Sequence, residues 1–491
     1  MDWSDNLRVA FLNPQGNFDP EDTYWTKHPD FGGQLVYVKE LAIAMASMGV
    51  KADIITRRIE DAEWPEFSRE VDGYPGIDNL RIVRAEFGGK QFLRKEFLWP
   101  HLSEYVEKIL QFYDQEKTRP NFITTHYGDG GIAGAMMAKT TGIPYSFTAH
   151  SLGAQKMEKL RANKKSFSEL DKEYNFTARI RAEGVSMKYS AVNFVSTSME
   201  RFEQYGHRLY EEYINVNDDD KFCVAPPGVN TDVFHSETMP EDDLVEDRIG
   251  KLFARFSSRQ RVSLPMIVSS SRLDKKKNHV SLLRAYMSSK YLKDNVNLII
   301  VTSGVSDPYS RTHDALQPER EVLNNLVDIV RRSNLKDRVL FADIRNQKEL
   351  ASLYRLAARR NSVFCLTALY EPFGLAPLEA MACGLPAVVT KNGGPSESLK
   401  DSNNEYGVLV DPTDVDDIKD GLLSLLGPER RDRLLEMRAL GERRVLSRYT
   451  WQATAEKYLG EIEKKLCKEF EEPVIPEWFF GKGKLLELNI E

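Results

Sequence analysis

Short apolar runs alternate with amphipathic stretches along most of the chain. RVAFLNP opens as a strand and stops at Pro14. GGQLVYVKELAIAMASMGV has apolar residues at helical spacing and ends at Gly49, a residue suited to a helix C-terminus. ADIITR predicts the next strand. NFITTHY, PYSFTAH and AVNFVST predict three more, each short, β-branched or aromatic, and bounded by turn residues. Strands that alternate with amphipathic helices form βαβ units and a parallel sheet. Residues 236–263 (SETMPEDDLVEDRIGKLFARFSSRQRVS) are charged and carry no strand signal. The pattern then restarts: PMIVSSSRL, VNLIIVTSG, RVLFADI, SVFCLTAL, GLPAVVT and GVLVD read as six further strands. The expected fold is α/β, with two doubly wound domains joined near residue 240 and ligands at the carboxyl ends of strands, in a cleft between facing sheets. From Tyr449 the stretch YTWQATAEKYLGEIEKKL predicts a long amphipathic helix, and PVIPEWFF carries aromatics suited to burial. Residues 449–491 are therefore expected to return to the first domain, 1–240, leaving 241–448 as the second.

Composition narrows the function classes. The 491 residues suffice for more than one sizeable core. With 41% hydrophobic and 29% charged residues the mix is that of a globular protein. The net charge of −7 gives no global basic field, so no nucleic-acid partner is expected. Cys223, Cys365, Cys383 and Cys467 form no C-x-x-C pair, which points to free thiols rather than a disulfide framework or a zinc site. MDWSDNLRVAFLN has acidic residues and no long apolar run, unlike a signal peptide, and no stretch is long enough to span a membrane. A cytoplasmic protein is expected.

The candidate chemistry centres on YEPFGLAPLEAM, residues 370–381. Glu371 and Glu379 are spaced like a carboxylate pair for acid/base work. Pro377 instead suits the first turn of a helix, whose free N–H groups attract a phosphate oxygen. That places the helix entry at Gly374–Ala376, with Ala376 as the N-cap and Glu379 in the first turn, where a carboxylate also simply suits the helix dipole. Glu371 follows a buried-looking strand and faces ligand, or is a solvated loop residue. In SSSRLDKKKNH, residues 269–279, Arg272 and Lys277 lie at a strand's carboxyl edge, while Lys275 and Lys276 read as solvated. Arg272 and Lys277 converge with the helix start on one diphosphate-sized site. Gly32 and Gly33, in HPDFGGQ, lie between the first strand and its helix, where backbone can approach a ligand. His150 ends a strand, where a lone histidine is more often structural than functional, a margin that its position at the cleft edge narrows. Lys95, Lys156, Arg179 and Arg181 are singly surface charges but together could bind a phosphate.

These stretches together resemble the retaining nucleotide-sugar glycosyltransferases of the GT-B fold, and among them the sucrose-phosphate synthase family in its short bacterial form. NPQGNFDPEDTYWTKHPDFGGQLVYVKE, TTHYGDGG, AHSLGAQKMEKL, PPGVNTDVF, SSSRLDKKKNH, EPFGLAPLEAMACGLP and NGGP are similar to the family's blocks and follow its order over nearly the whole chain. The resemblance implies two Rossmann-like domains and transfer of glucose from UDP-glucose to fructose 6-phosphate with retained anomeric configuration. It implies that Arg272 and Lys277 neutralise the donor diphosphate, that Phe373, Gly374 and Leu375 contact its phosphate and sugar, that Glu371 lies near the glucose and that Glu379 holds the ribose hydroxyls. His150 is implied near the glucose 6-hydroxyl. Gly33 and Gln34 are implied to touch both substrates, and Lys95, Tyr127, Ser151, Lys156 and Arg179 to form the fructose 6-phosphate pocket. No tightly bound cofactor is expected, with Mg2+ stimulatory at most, and a separate sucrose-phosphate phosphatase is the implied partner. The chain departs from the family at AHSLG, usually GHSLG, and at Gly184, usually a charged or bulkier residue. Within the class, sucrose synthase with free fructose and mannosylfructose-phosphate synthase with GDP-mannose remain open. Outside it stand a hydrolase using Glu371 and Glu379, and a non-catalytic nucleotide-sugar sensor.

Overall fold

The computed structural model describes residues 7–21, 32–161, 166–315, 317–466, 468 and 471–488. His28 to Phe31 of the first glycine turn and Cys467 lie outside the described residues. The chain divides into two units, Met1–Pro227 with Trp451–Glu491, and Gly228–Thr450. The division therefore falls at Pro227, upstream of residue 240.

The first unit is built on β1 (Arg8–Leu12), β2 (Lys51–Arg57), β3 (Val71–Asp72), β4 (Leu80–Ala85), β5 (Phe122–His126), β6 (Tyr145–Thr148), β7 (Val192–Val195) and β8 (Phe222–Val224). They form one sheet in the order β3-β4-β2-β1-β5-β6-β7-β8. All pairs are parallel except β3 with β4. Covered on both faces, such strands bury nearly every residue, and β5 is buried throughout. β3, β4 and β8 carry no sequence expectation. β4 reads as polar because it contains Arg81 and Arg84, yet Arg84 is 1% exposed and pairs with Asp72 at 3.0 Å. The helix Trp451–Leu466 packs on the helix Gly33–Ser47, and Tyr458 hydrogen-bonds Tyr37 and Thr148. Ile475 and Phe479 join the same unit's core beside Trp99, as the aromatic tail predicts.

The second unit contains β9 (Met266–Ser269), β10 (Asn297–Thr302), β11 (Val339–Asp343), β12 (Val363–Leu366), β13 (Ala387–Thr390) and β14 (Val408–Val410). They form an all-parallel sheet in the order β11-β10-β9-β12-β13-β14, matching all six expected strands. The polar stretch 236–263 belongs to this unit and contains the helix Asp242–Phe256, whose Val245, Ile249 and Phe253 recur every four residues and are buried. In both sheets the strand order reverses once, between β1 and β5 and between β9 and β12. Open α/β sheets hold ligands at that reversal, outside the carboxyl ends of the strands. Among the described residues no helix is long and apolar enough to cross a membrane.

Candidate active site

The second unit's reversal point is flanked by the loops that leave β9 and β12. Arg272 and Lys277 follow β9; Glu371 follows β12. Lys277 Nζ and Glu371 Oε2 form an ion pair at 2.6 Å. Arg272 is exposed and has no carboxylate within ion-pair distance among the described residues. The two loops are tied together by backbone: Leu369 N donates to Lys276 O at 2.8 Å, and Thr367 Oγ1 to Asn278 O at 3.0 Å. The NGGP segment holds the other side, with Glu371 N donating to Asn392 O at 3.0 Å and Gly394 N to Glu371 O at 3.0 Å. Gly393 must be glycine here: at φ +98° an added Cβ would lie 2.1 Å from Glu371 O.

The helix entry differs from the sequence expectation. The helix is Leu375–Ala382 and its N-cap is Gly374, in the left-handed region at φ +94°, not Ala376. Pro377 is the third helical residue, a position where the missing N–H has no helical acceptor to lose. Glu379 thus falls in the second turn, away from the dipole-stabilised end. Its half-buried carboxyl is pushed up to about 7 by burial. Phe373 packs against the unit's core and lies 6.2 Å from the Tyr449 ring. Gly374→Ala is expected to cost about 1–2 kcal/mol through the left-handed backbone, read as a lowered thermal midpoint. An unchanged midpoint would mean the loop relaxes to another cap.

In the first unit, Lys95, Tyr127, Lys156 and Arg179 line one pocket, with Gln15, Glu96, Trp99, Gly128, Asp129 and Tyr174. Lys95 Nζ lies 5.8 Å and the Arg179 guanidinium 5.2 Å from the Tyr127 ring centre. Lys156 Nζ sits 4.2 Å from the Tyr174 ring. Burial, then the charges of Arg179 and Lys95, hold the Lys156 ammonium below its ordinary range. Ser151 does not line the pocket but braces it: its Oγ donates to Tyr127 Oη at 3.0 Å, and Arg179 Nη2 donates to Ser151 O at 2.8 Å. Glu183, fully buried, accepts from Arg179 Nε at 2.8 Å and Gly153 N at 2.9 Å. Arg181 is not part of this group. It pairs with Glu212 at 3.2 Å and donates to Tyr213 Oη at 2.9 Å. Gly184 is fixed by the same neighbour, since an added Cβ would lie 2.5 Å from the Tyr213 ring.

His150 is not a lone histidine. Its Nε2 shares a 2.9 Å hydrogen bond with Nδ1 of His126, and the rings stack at 5.1 Å. Tyr37 meets His150 edge-on at 5.0 Å, and Tyr127 stacks at 6.3 Å. Burial pushes His150 down to about 3, so it is a neutral donor or acceptor near neutral pH. Both His150 and Tyr127 are held in the left-handed region, at φ +56° and +66°. Such strain in non-glycine residues clusters at functional sites. Gly33 and Gln34 begin the helix Gly33–Ser47 and do not line the pocket; Gln34 is buried. Gln15, Asp129 and His126 escaped the sequence reading, although NPQG and HYGDGG directly follow strands.

Two family models match the chain, one described as glycosyl transferases group 1 over residues 251–439 and one as sucrose synthase first GT-B domain over residues 5–252. A probable sucrose-phosphate synthase of Thermosipho melanesiensis is 46% identical over 96% of this chain and 99% of that protein. The chain belongs to the sucrose-phosphate synthase family of GT-B glycosyltransferases. It is a hexosyltransferase of that type. The mannosylfructose-phosphate synthase of Agrobacterium fabrum is 28% identical over 93% of this chain and 91% of that protein. The chain spans about half the length of the plant sucrose-phosphate synthases it matches. The solved sucrose-phosphate synthase of Thermosynechococcus elongatus shares the fold, with a TM-score of 0.65 over 94% of this chain and 99% of that one at 23% identity.

Proposed function

We propose that this enzyme transfers glucose from UDP-glucose to fructose 6-phosphate, with retention, giving sucrose 6-phosphate and UDP. The observation that carries the acceptor side is the crowding of Lys95, Lys156 and Arg179 in one small pocket. Neither lysine has a carboxylate within ion-pair distance among the described residues. A phosphate dianion relieves that repulsion, whereas free fructose does not. On the donor side, leaving-group departure builds negative charge on the diphosphate. In this reading Arg272, Lys277 and the amides of Leu375 and Ala376 stabilise it. The glucosyl group gains oxocarbenium character as the bond breaks. Same-face attack, with the leaving phosphate helping to deprotonate the acceptor hydroxyl, accounts for retention without a protein nucleophile. A hydrolase using Glu371 and Glu379 would leave the phosphate-gripping cations Arg272 and Lys277 without a role. Glu371 is assigned to the glucose, Glu379 to the ribose, His150 to the glucose 6-hydroxyl, and Gly33 and Gln34 to both substrates. The two cations supply the charge, so no resident metal enters the proposal, and dephosphorylation falls to a separate phosphatase.

Incubation with UDP-glucose and either fructose or its 6-phosphate tests the reading, with released UDP as the signal. Equal or better turnover of free fructose overturns it in favour of sucrose synthase. The likeness to mannosylfructose-phosphate synthase makes GDP-mannose the donor to run in parallel. Lys156→Ala is expected to raise KM for fructose 6-phosphate by about 10–100-fold, the value of a charge-assisted hydrogen bond, and to leave KM for UDP-glucose within about twofold. A shift in both would place Lys156 in general folding rather than in phosphate recognition.

A further inference from the structure

The cation-lined pocket of the first unit also contains acceptor groups. Gln15 and Asp129 line it along with the three cations. They come from the loops that leave β1 and β5, the adjacent strands at which the first sheet reverses its order. Gln15 is 2% and Asp129 3% exposed. Gln15 Nε2 donates to Asp129 Oδ1 at 3.3 Å, and Gly130 N donates to the same oxygen at 2.8 Å. With the amide nitrogen committed to Asp129, the buried Oε1 of Gln15 has no donor among the described residues. Buried polar atoms are nearly always partnered, and an orphaned carbonyl oxygen calls for a hydroxyl or an N–H. Burial pushes the Asp129 carboxyl up to about 7, with Lys95 and Arg179 acting against the rise. The pocket thus carries three cations and, on Gln15 and Asp129, acceptor oxygens. A phosphate is drawn to the cations, whereas sugar hydroxyls suit the acceptor oxygens.

We propose that Gln15 and Asp129 read the sugar body of the acceptor, Gln15 Oε1 and the Asp129 carboxyl each accepting from a hydroxyl, while Lys95, Lys156 and Arg179 hold its phosphate. This rests on the pocket being the phosphosugar acceptor site. It makes Gln15 and Asp129 specificity-determining residues: an acceptor with the same phosphate but a missing or inverted hydroxyl leaves a buried oxygen unpaired, a loss a site cannot recover elsewhere.

The test uses the full chain, saturating UDP-glucose, fructose 6-phosphate and a panel of its monodeoxy analogues. Gln15→Met keeps length and removes both amide hydrogen-bonding groups. It is expected to raise KM for fructose 6-phosphate about tenfold, with KM for UDP-glucose unchanged. One deoxy analogue that is about tenfold poorer with the wild type is expected to lose nothing further with Gln15→Met. If every analogue loses as much with the variant as with the wild type, the Gln15 oxygen is met by water and the inference fails. Should Gln15→Met not fold, Asp129→Asn, which keeps the oxygen that accepts from Gly130 N, is put through the same cycle with the same two outcomes. A wild type that uses no hexose phosphate overturns the proposed function and this inference with it. A wild type that uses fructose 6-phosphate without any such coupling overturns this inference alone.

Discussion

Lys277→Ala is expected to lower kcat by about 10²–10³-fold, the usual consequence of removing one preorganised group from a site where charge develops. The geometry makes the experiment less simple than a charge deletion. Lys277 Nζ is 2.6 Å from Glu371 Oε2, and their side chains are 22% and 12% exposed. Removing the lysine leaves a largely buried carboxylate without its counter-charge, which destabilises the loop between β12 and the helix Leu375–Ala382. A fall in turnover could then come from a displaced loop rather than from lost transition-state stabilisation. The double variant Lys277→Ala/Glu371→Gln separates the two, because it removes the orphaned charge. Its thermal midpoint is expected to recover towards the wild type, while kcat stays depressed. Recovery of both would mean that Lys277 acts by holding Glu371. A fall of less than tenfold in the single variant would shift the burden of the leaving diphosphate to Arg272 and the helix amides.

Much of this was legible in the sequence, for a physical reason. Strands covered on both faces of a parallel sheet are mostly apolar, so β9 to β13 stand out as short runs between turn residues, and the partly buried β14 keeps the same composition. β4 did not, because Arg81 and Arg84 give it a polar look, and only tertiary structure supplies the Asp53 and Asp72 carboxylates that pair them. The same limit governs the site. Cations that directly follow a strand are visible as candidates, but their direction is not. Arg179 and Arg181 are two positions apart on the helix Phe176–Tyr189, so they point to different sides. One enters the pocket and the other meets Glu212 and Tyr213. Gln15, Asp129 and His126 were invisible for the converse reason: nothing local marks a polar residue as buried. The misplaced helix entry at Pro377 followed from reading proline as a first-position residue, when the left-handed Gly374 sets the start two residues earlier.

Glu379→Gln is expected to do two opposite things, and their combination is the more discriminating result. The Glu379 carboxyl has an ordinary value of 4.5, and burial raises it to about 7. Above 4.5 the unfolded chain releases this proton, while the folded protein keeps it up to about 7. The folded state then binds more protons, so stability declines as pH rises from 4.5 to 7 and stays lowered above that. At about 1.4 kcal/mol per pH unit the effect is at most about 3.5 kcal/mol. Glutamine cannot ionise and carries no such cost. Unfolding midpoints are therefore expected to coincide near pH 4.5 and to favour Glu379→Gln by a few degrees at pH 8, with the ligand-free protein. Binding of UDP-glucose is expected to weaken by about 10–100-fold at pH 8, because a charged acceptor for two ribose hydroxyls has become a neutral one. Turnover at saturating donor should change far less. A more stable variant that binds its donor less well is the signature of a carboxylate kept buried for a ligand. A large loss of kcat with unchanged donor affinity would instead make Glu379 a proton-transfer residue and restore the acid/base reading of its spacing from Glu371.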